Sequence, residues 1–580
     1  MLRKILLSCL VCTFSISSVW ASTPLWTAQM PEAVKWTQVT QSGILLAGTN
    51  GSLSGIDPDS GKVLWTRDDI KKSAPFNTRE VMGTPILIVN DYSGWGTKTR
   101  IYAINIVDGT DIWKTEPENG YTLGVYPVPS KKIAVLFYSG WTKEEGSGIH
   151  MTAYELSSGK QLWDNKIAGS VVLHPVDEAG MFYSKNDLSG HQEPIVEGDN
   201  FYVPFLGLSC YDLNTGAVKW EVPFKTAISA YKKTYAPLQI QGDTIYASGY
   251  GLIYAIDKTA GTVKWKSEKI TSAQIAELTL ADNMVLARVG GFFYQPGTKK
   301  YVLDKPLRVI AYNKQTGEEL WEYKGISAGL TNLLYVPSQK EVVFADGEHL
   351  IGVDSESTGK ATEKFKVKME FTRNIGGSEL ASAGMKVLTA PSLGGLLHAG
   401  AGLIGSKKNR MDVPVNVALM DDGHVAVRGK QHVMNFDPVA STMLWSNYFP
   451  APGAGMFEIA VMSALTFTAS VGYQGGAASG TMSASSASDG IKDSWARFDQ
   501  MNTKRFEASK GSQKHAFILT QVDDAGKKGL GIIAVNFSSG EPDQQFLFGE
   551  KQPVYTIDEV EGKLFHFKGG KNLEAYSLSK

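Results

Sequence analysis

The sequence predicts an all-β fold, a single closed β-propeller of four-stranded blades. Three observations carry this expectation. A strand, turn and tryptophan pattern returns at a regular period, apolar runs upstream of each copy supply two more strands, and the chain ends carry complementary fragments of the pattern.

In the pattern, an apolar strand ends in Asp or Asn, with Gly four residues later and Trp four after that. It occurs at Asp57, Gly61 and Trp65, then at Asn105, Gly109 and Trp113. Glu155, Gly159 and Trp163 follow, then Asp212, Gly216 and Trp220. Asp257, Gly261 and Trp265 precede Asn313, Gly317 and Trp321. The Asp or Asn starts a tight turn through its side chain, and Gly accepts a positive φ without a Cβ penalty. The residues up to Trp then form the return strand of a hairpin. One large flat ring at a fixed place in every sheet suits packing against the neighbouring sheet, so these residues are read as a structural blade motif.

Runs such as GILLAG (43–48) and TIYAS (244–248) add two strands per unit, giving four in a period of about 45 residues, the size of one propeller blade. Weaker copies continue. Asp354, Gly359 and Phe365 carry an extra residue before Gly and Phe for Trp; Asp437 and Trp445 have Ser441 for Gly; Asn536 and Gly540 have Gln544 where Trp is expected. The segment PLWTAQ holds Trp26 without a preceding hairpin, and LEAYSLSK is a hairpin strand without a successor. One blade shared by the termini closes the ring and removes exposed sheet edges. The expectation is eight to ten blades, with the motif count favouring ten.

Composition agrees: 60 Gly, 10% aromatic and 20% charged residues suit many short strands and turns. A net charge of -1 leaves no basic footprint for nucleic acid, and the short run 407–410 (KKNR) reads as a solvated loop. Arg3 and Lys4, the apolar stretch from Ile5 to Val19 and the small residue at Ala21 read as a secretory signal over residues 1–21, with the propeller over 22–580. Cys9 and Cys12 lie inside that signal. Cys210, left alone, reads as a small buried apolar residue.

With these repeats the chain resembles the quinoprotein-like propellers, whose blades carry an A-x-D-x-x-[ST]-G-x-x-x-W type of turn. The resemblance covers most of the chain and implies one of two functional classes. One class comprises dehydrogenases that hold pyrroloquinoline quinone (PQQ) and calcium on the ring axis. The other comprises non-catalytic periplasmic scaffolds, such as the B lipoprotein of the machinery that assembles outer-membrane β-barrels. The dehydrogenases used for comparison have adjacent cysteines over the quinone, and no Cys-Cys pair occurs here. The regularly placed carboxylates Asp57, Asp212, Asp257, Asp354 and Asp437 already have a turn to build. The resemblance therefore leans to a scaffold with no predicted cofactor.

Local motifs add no chemistry. No H-E-x-x-H or Cys-x-x-Cys spacing supports zinc. His424 and His432 lack a third ligand, and the Asp421–Asp422–Gly423 and Asp523–Asp524 runs are turn sequences without the alternating oxygens of a calcium loop. Residues 51–55 (GSLSG) place Leu where a nucleophilic elbow needs Ser. GFFYQPGTK, 291–299, has the wrong spacing for a phosphate loop and reads as a long hairpin tip.

Two inserts break the period. The first, 371–410, has no charged residue from Val387 to Ser406; the second, 453–511, has none from Ile459 to Ser488. Neither holds enough continuous apolar chain to cross a membrane as a helix. Both are Gly- and Ala-rich. They are read as packing together over one ring face, where uncharged surface would meet a partner protein or a membrane surface. The functional expectation is an exported scaffold, periplasmic or envelope-associated, that binds envelope protein partners. The alternative is a periplasmic PQQ- or ligand-dependent oxidoreductase with an axial site.

Overall fold

The computed structural model describes residues 23–578, except 74–77, 94–97, 117, 143–145, 169–172, 176–181, 185–193, 205–206, 225–235, 250, 271–274, 296–299, 328, 370–413, 430–431, 450–514, 525 and 551–552. The signal expectation for 1–21 and both inserts lie outside the described residues.

Ten antiparallel blades follow one another along the chain, so the larger blade count holds. Blade 1 comprises Trp36–Val39, Leu45–Gly48, Leu53–Ile56 and Val63–Arg67. Blade 2 runs from Thr78 to Lys114, blade 3 from Glu118 to Ala168, blade 4 from Ile195 to Pro223 and blade 5 from Gln239 to Lys266. Blades 6, 7 and 8 span Ile275 to Tyr323, Leu334 to Lys368 and Pro414 to Tyr448. Blade 9 has three described strands, His515–Asp524, Lys527–Asn536 and Pro542–Leu547. Blade 10 joins Tyr555–Asp558, Lys563–Lys568 and Asn572–Ser577 to the N-terminal strand Trp26–Gln29.

That last pairing closes the ring. Trp26 faces Ala575 and Gln29 faces Asn572 across an antiparallel ladder. Met30 N–H donates to the Lys571 carbonyl at 2.8 Å, and Val34 N–H to that of Gly570 at 2.8 Å. Lys563 pairs with Asp59 of blade 1.

The core has the same tenfold order. Among the described residues, ten clusters of buried side chains each join two consecutive blades, including blade 9 to 10 and blade 10 to 1. Strand alternation explains how one strand serves two clusters. Leu45 and Ala47 pack towards blade 10, whereas Ile44 and Leu46 pack towards blade 2. An open arc of ten blades would have nine such interfaces.

Strand direction assigns the connections to faces. First and third strands run one way and second and fourth the other, so first-to-second and third-to-fourth links share one face, here the turn face. Its described links are short turns of two to eight residues. Second-to-third links and blade-to-blade crossovers share the opposite loop face. The crossovers there include 224–238 and 369–413, and the small hairpin Leu173–Pro175 with Phe182–Ser184 between blades 3 and 4. Segment 449–514 leaves blade 8 on this face, whereas the next described strand, His515–Asp524, starts at the turn face as the second strand of blade 9.

Candidate functional site

Each motif first builds its own turn. Asp57 Oδ1 accepts from the N–H groups of Asp59 and Ser60 at 2.9 and 3.1 Å, and Gly61 N–H donates to the Asp57 carbonyl at 2.9 Å. Asp212, Asp257 and Asn313 accept the equivalent pairs of N–H groups, while Asn105 accepts from Val107. Glu155 instead takes the Ser158 hydroxyl. Gly61, Gly109, Gly159, Gly216, Gly261 and Gly317 have φ between +68° and +75°, the left-handed region that a Cβ disfavours.

The tryptophan then acts on the following blade. Trp65 Nε1 donates to the Ile106 carbonyl at 2.8 Å, Trp113 to Leu156 at 2.6 Å and Trp163 to Leu213 at 3.0 Å. Trp220 reaches Lys258 at 3.1 Å, Trp265 reaches Lys314 at 2.9 Å and Trp321 reaches Ser355 at 3.0 Å. Every acceptor directly follows the motif Asp, Asn or Glu of the next blade. From Trp65 to Trp265 the indole also lies against that blade's turn glycine, a Cβ on Gly109 standing 2.7 Å from Trp65 and one on Gly216 2.7 Å from Trp163, whereas Gly359, in the blade after Trp321, has nothing within 4 Å of its Cβ position. The result is a clasp from one blade to the next.

Where the motif degenerates, the clasp changes in a coordinated way. Phe365 replaces Trp in blade 7, and Ser441 replaces Gly in the following turn while keeping φ at +52°. Trp445 still covers Gly540, where an added Cβ would stand 2.6 Å from the indole, but its Nε1 has no partner among the described residues. Asn435 Nδ2 takes over, donating to the Phe537 carbonyl at 3.0 Å. Between blades 9 and 10, Gln544 Nε2 donates to the Ser577 carbonyl at 2.8 Å.

The motif side chains sit one turn to a blade around the turn face and do not converge on one point. Other groups that the sequence suggested also stay apart. His424 lies 3.0 Å from Asp422 in a turn, whereas His432 is buried with its ring 4.6 Å from that of Tyr448. Asp523 caps its hairpin through Gly526 N–H at 3.0 Å. Burial pushes the Cys210 thiol up to about 11. No group of three or more His, Cys, Asp or Glu is placed to hold a metal among the described residues.

Three polar features were not legible in the sequence. Glu277 accepts from Arg288 Nε at 2.9 Å and from the Leu333 N–H of the next blade at 3.2 Å. Burial raises Glu341 to about 7, with Lys364 opposing. Burial likewise raises Glu559 to about 7, partly offset by Arg428. Each joins residues distant in sequence, so no local spacing announces it.

Comparison with known proteins gives one family. The family model described as outer membrane protein assembly factor BamB matches residues 18–172, 182–288 and 207–375. The outer membrane protein assembly factor BamB of Burkholderia pseudomallei (strain K96243) is 20% identical over 323 residues, 47% of this chain and 76% of that protein. Among solved structures, BamB from Moraxella catarrhalis is 13% identical at a TM-score of 0.33, covering 72% of this chain and 97% of that one. Kluyveromyces lactis Hsv2 is 9% identical at 0.29, covering 65% and 99%.

Proposed function

Since the chain belongs to the PQQ-like repeat propeller family of the outer membrane protein assembly factor BamB, we propose that it is an exported, non-catalytic scaffold of the bacterial envelope that binds partner proteins through its loop face. One observation carries this reading. The long departures at 224–238 and 369–413 leave and rejoin the ring on that face and 449–514 leaves it there, while the described links of the turn face are short. Loops held on a rigid frame are the usual carriers of recognition. The motif residues from Asp57 to Trp321 serve on this reading to clasp blades, and residues 1–21 to direct export. The two inserts serve as contact surface for the partner.

The first insert gives the cleaner test. Blades 7 and 8 flank it with four described strands each, whereas the second insert precedes a blade with three. The exported form lacking residues 371–410 should melt as the parent does and recover fewer partners from its own envelope fraction. If it recovers the same set, the contact surface lies elsewhere. The same preparation should show no dye-linked oxidation of alcohols or sugars with added PQQ and calcium; turnover would favour the axial oxidoreductase.

A further inference from the structure

The seam between blades 7 and 8 is pinned at one edge and weakened at the other. Asn332, just before the first strand of blade 7, exchanges two bonds with Val417 in the first strand of blade 8. Its Nδ2 donates to the Val417 carbonyl at 2.9 Å and its Oδ1 accepts from the Val417 N–H at 2.9 Å. On the fourth-strand side the clasp lacks its bond. Phe365 has no N–H to offer the Pro438 carbonyl, which directly follows the motif Asp437, and its ring packs instead 4.7 Å from that of Phe436. The facing turn holds Ser441 at φ +52°, where glycine would rest without strain.

A buried acid lies in this seam. Glu341 begins the second strand of blade 7 at the turn face, opposite Val336 on one side and Asp354 on the other. The strand alternates without a bulge: Val342 and Phe344 pack towards blade 6, and Val343 and Ala345 towards Val425 and Val427 of blade 8. Glu341 therefore faces blade 8. It is 3% exposed, and its Oε1 has no hydrogen-bond partner among the described residues. The charges on its own blade are engaged elsewhere. Lys364 Nζ donates to the Gln339 carbonyl at 2.6 Å, Lys340 pairs with Glu356 at 2.5 Å, and Asp354 Oδ1 accepts from the Glu356 N–H at 3.1 Å. Blade 8 brings Val425, Phe436 and Met443 to the seam. Its charges at the turn-face end are exposed Asp421, His424 beside Asp422, and Asp437, which accepts from the Val439 and Ala440 N–H groups. Burial thus holds the Glu341 proton up to about 7, with Lys364 opposing and Asp354 reinforcing.

We propose that this seam is a proton-operated hinge: blades 7 and 8 stay closed while Glu341 keeps its proton, and part about the Asn332–Val417 pin when it is lost. A buried charge without a bonded partner is relieved by water, and water enters most readily along the edge that has lost its indole bond. The seam on the other side of blade 7 keeps that bond, from Trp321 Nε1 to the Ser355 carbonyl at 3.0 Å. Water returns the acid to its ordinary 4.5 in the open seam, against about 7 in the closed one. Opening is therefore least below pH 4.5, rises about tenfold per pH unit up to 7 and levels off beyond. This inference does not rest on the scaffold reading.

Two cysteine variants of the exported form read the hinge. Val343→Cys places a thiol in the seam with blade 8, and Val342→Cys places one in the seam with blade 6, both at fully buried positions of one strand. Each is pulsed with iodoacetamide between pH 5 and 8, and mass spectrometry locates the label. The ratio of the two rates cancels the pH dependence common to thiols. That ratio, Val343→Cys over Val342→Cys, should rise about tenfold per unit to pH 7 and stay level above it. Glu341→Gln should abolish the rise. The pair Phe365→Trp with Ser441→Gly, which rebuilds the clasp, should lower the ratio at pH 8 about tenfold, the effect of one regained bond. Circular dichroism establishes that each variant is folded. A ratio that does not change with pH overturns the inference, whatever the fate of the Glu341 variant. So does a folded Glu341→Gln protein that keeps the rise, or a folded, rebuilt clasp that labels as readily as the parent.

Discussion

Replacing Gly159 by Ala tests the clasp directly. A Cβ there would lie 2.6 Å from Trp113 Cδ2, about 1 Å inside an ordinary carbon contact. The indole has little freedom to retreat, because Nε1 is bonded to the Leu156 carbonyl at 2.6 Å and the ring stacks on Tyr154 with centroids 6.0 Å apart. Overpacking of this kind costs about 1–3 kcal/mol, and a left-handed non-glycine residue adds about 1–2 kcal/mol. Gly359→Ala separates these contributions, since Gly359 has φ +69° but nothing within 4 Å of its Cβ position. It should cost only the backbone share, about 1–2 kcal/mol. Urea denaturation of both variants, followed by circular dichroism, should place Gly159→Ala about 1–3 kcal/mol below Gly359→Ala. Adding Trp113→Phe to Gly159→Ala should recover about 0.5–3 kcal/mol as coupling, copying the natural pairing of Phe365 with Ser441. Equal losses for the two glycine variants, or no coupling in the double variant, would refute the clasp as a packing device.

Two more outcomes follow from the ring. His566 is 1% exposed and stacks on Phe548, and burial lowers it from 6.5 to about 4, with Glu574 opposing. The unfolded chain takes up a proton on this ring first, so its contribution is intact above about pH 6.5 and is lost as pH falls towards 4. The loss should reach about 3 kcal/mol, and His566→Phe should flatten the decline of melting temperature between pH 6.5 and 4. Removing residues 23–29 should leave Asn572–Ser577 as an open edge, visible as faster hydrogen exchange there and as concentration-dependent aggregation. Unchanged exchange would mean that the ladder at Trp26 does not seal the ring.

The blade count and the closure were legible because both lie in the order of residues: each turn needs Asp or Asn, Gly and Trp at fixed spacing, and Trp26 carries a fourth strand that completes the blade ending in Ser577. The partners of the tryptophans were not legible, since Trp65 acts on Ile106, 41 residues away in another copy of the motif. The same distance hid the replacement of the Trp445 bond by Asn435, and the meaning of Phe365 beside Ser441. GFFYQPGTK read as a hairpin tip, and only the register shows how far its flanking strands pair, from Met284 opposite Asn313 to Gln295 opposite Lys300. The loop face, too, emerges from strand direction rather than from any residue pattern.

The pairing of the first strand with the last also sets an order in time. Lys571 reaches the Pro31 carbonyl across 540 residues, so an emerging chain can assemble nine inter-blade interfaces before the tenth has both partners. Compared with a blade-to-blade contact such as that of Trp65, bringing ends so remote together adds only about 2 kcal/mol of loop entropy, because the cost grows with the logarithm of length. What delays completion is synthesis itself. Until the final strand is made, Trp26–Gln29 waits as an unmatched ribbon edge, and a neighbouring chain at the same stage offers it the same late partner. Rapid production should therefore favour exchanged, interlocked rings, and slow production solitary ones.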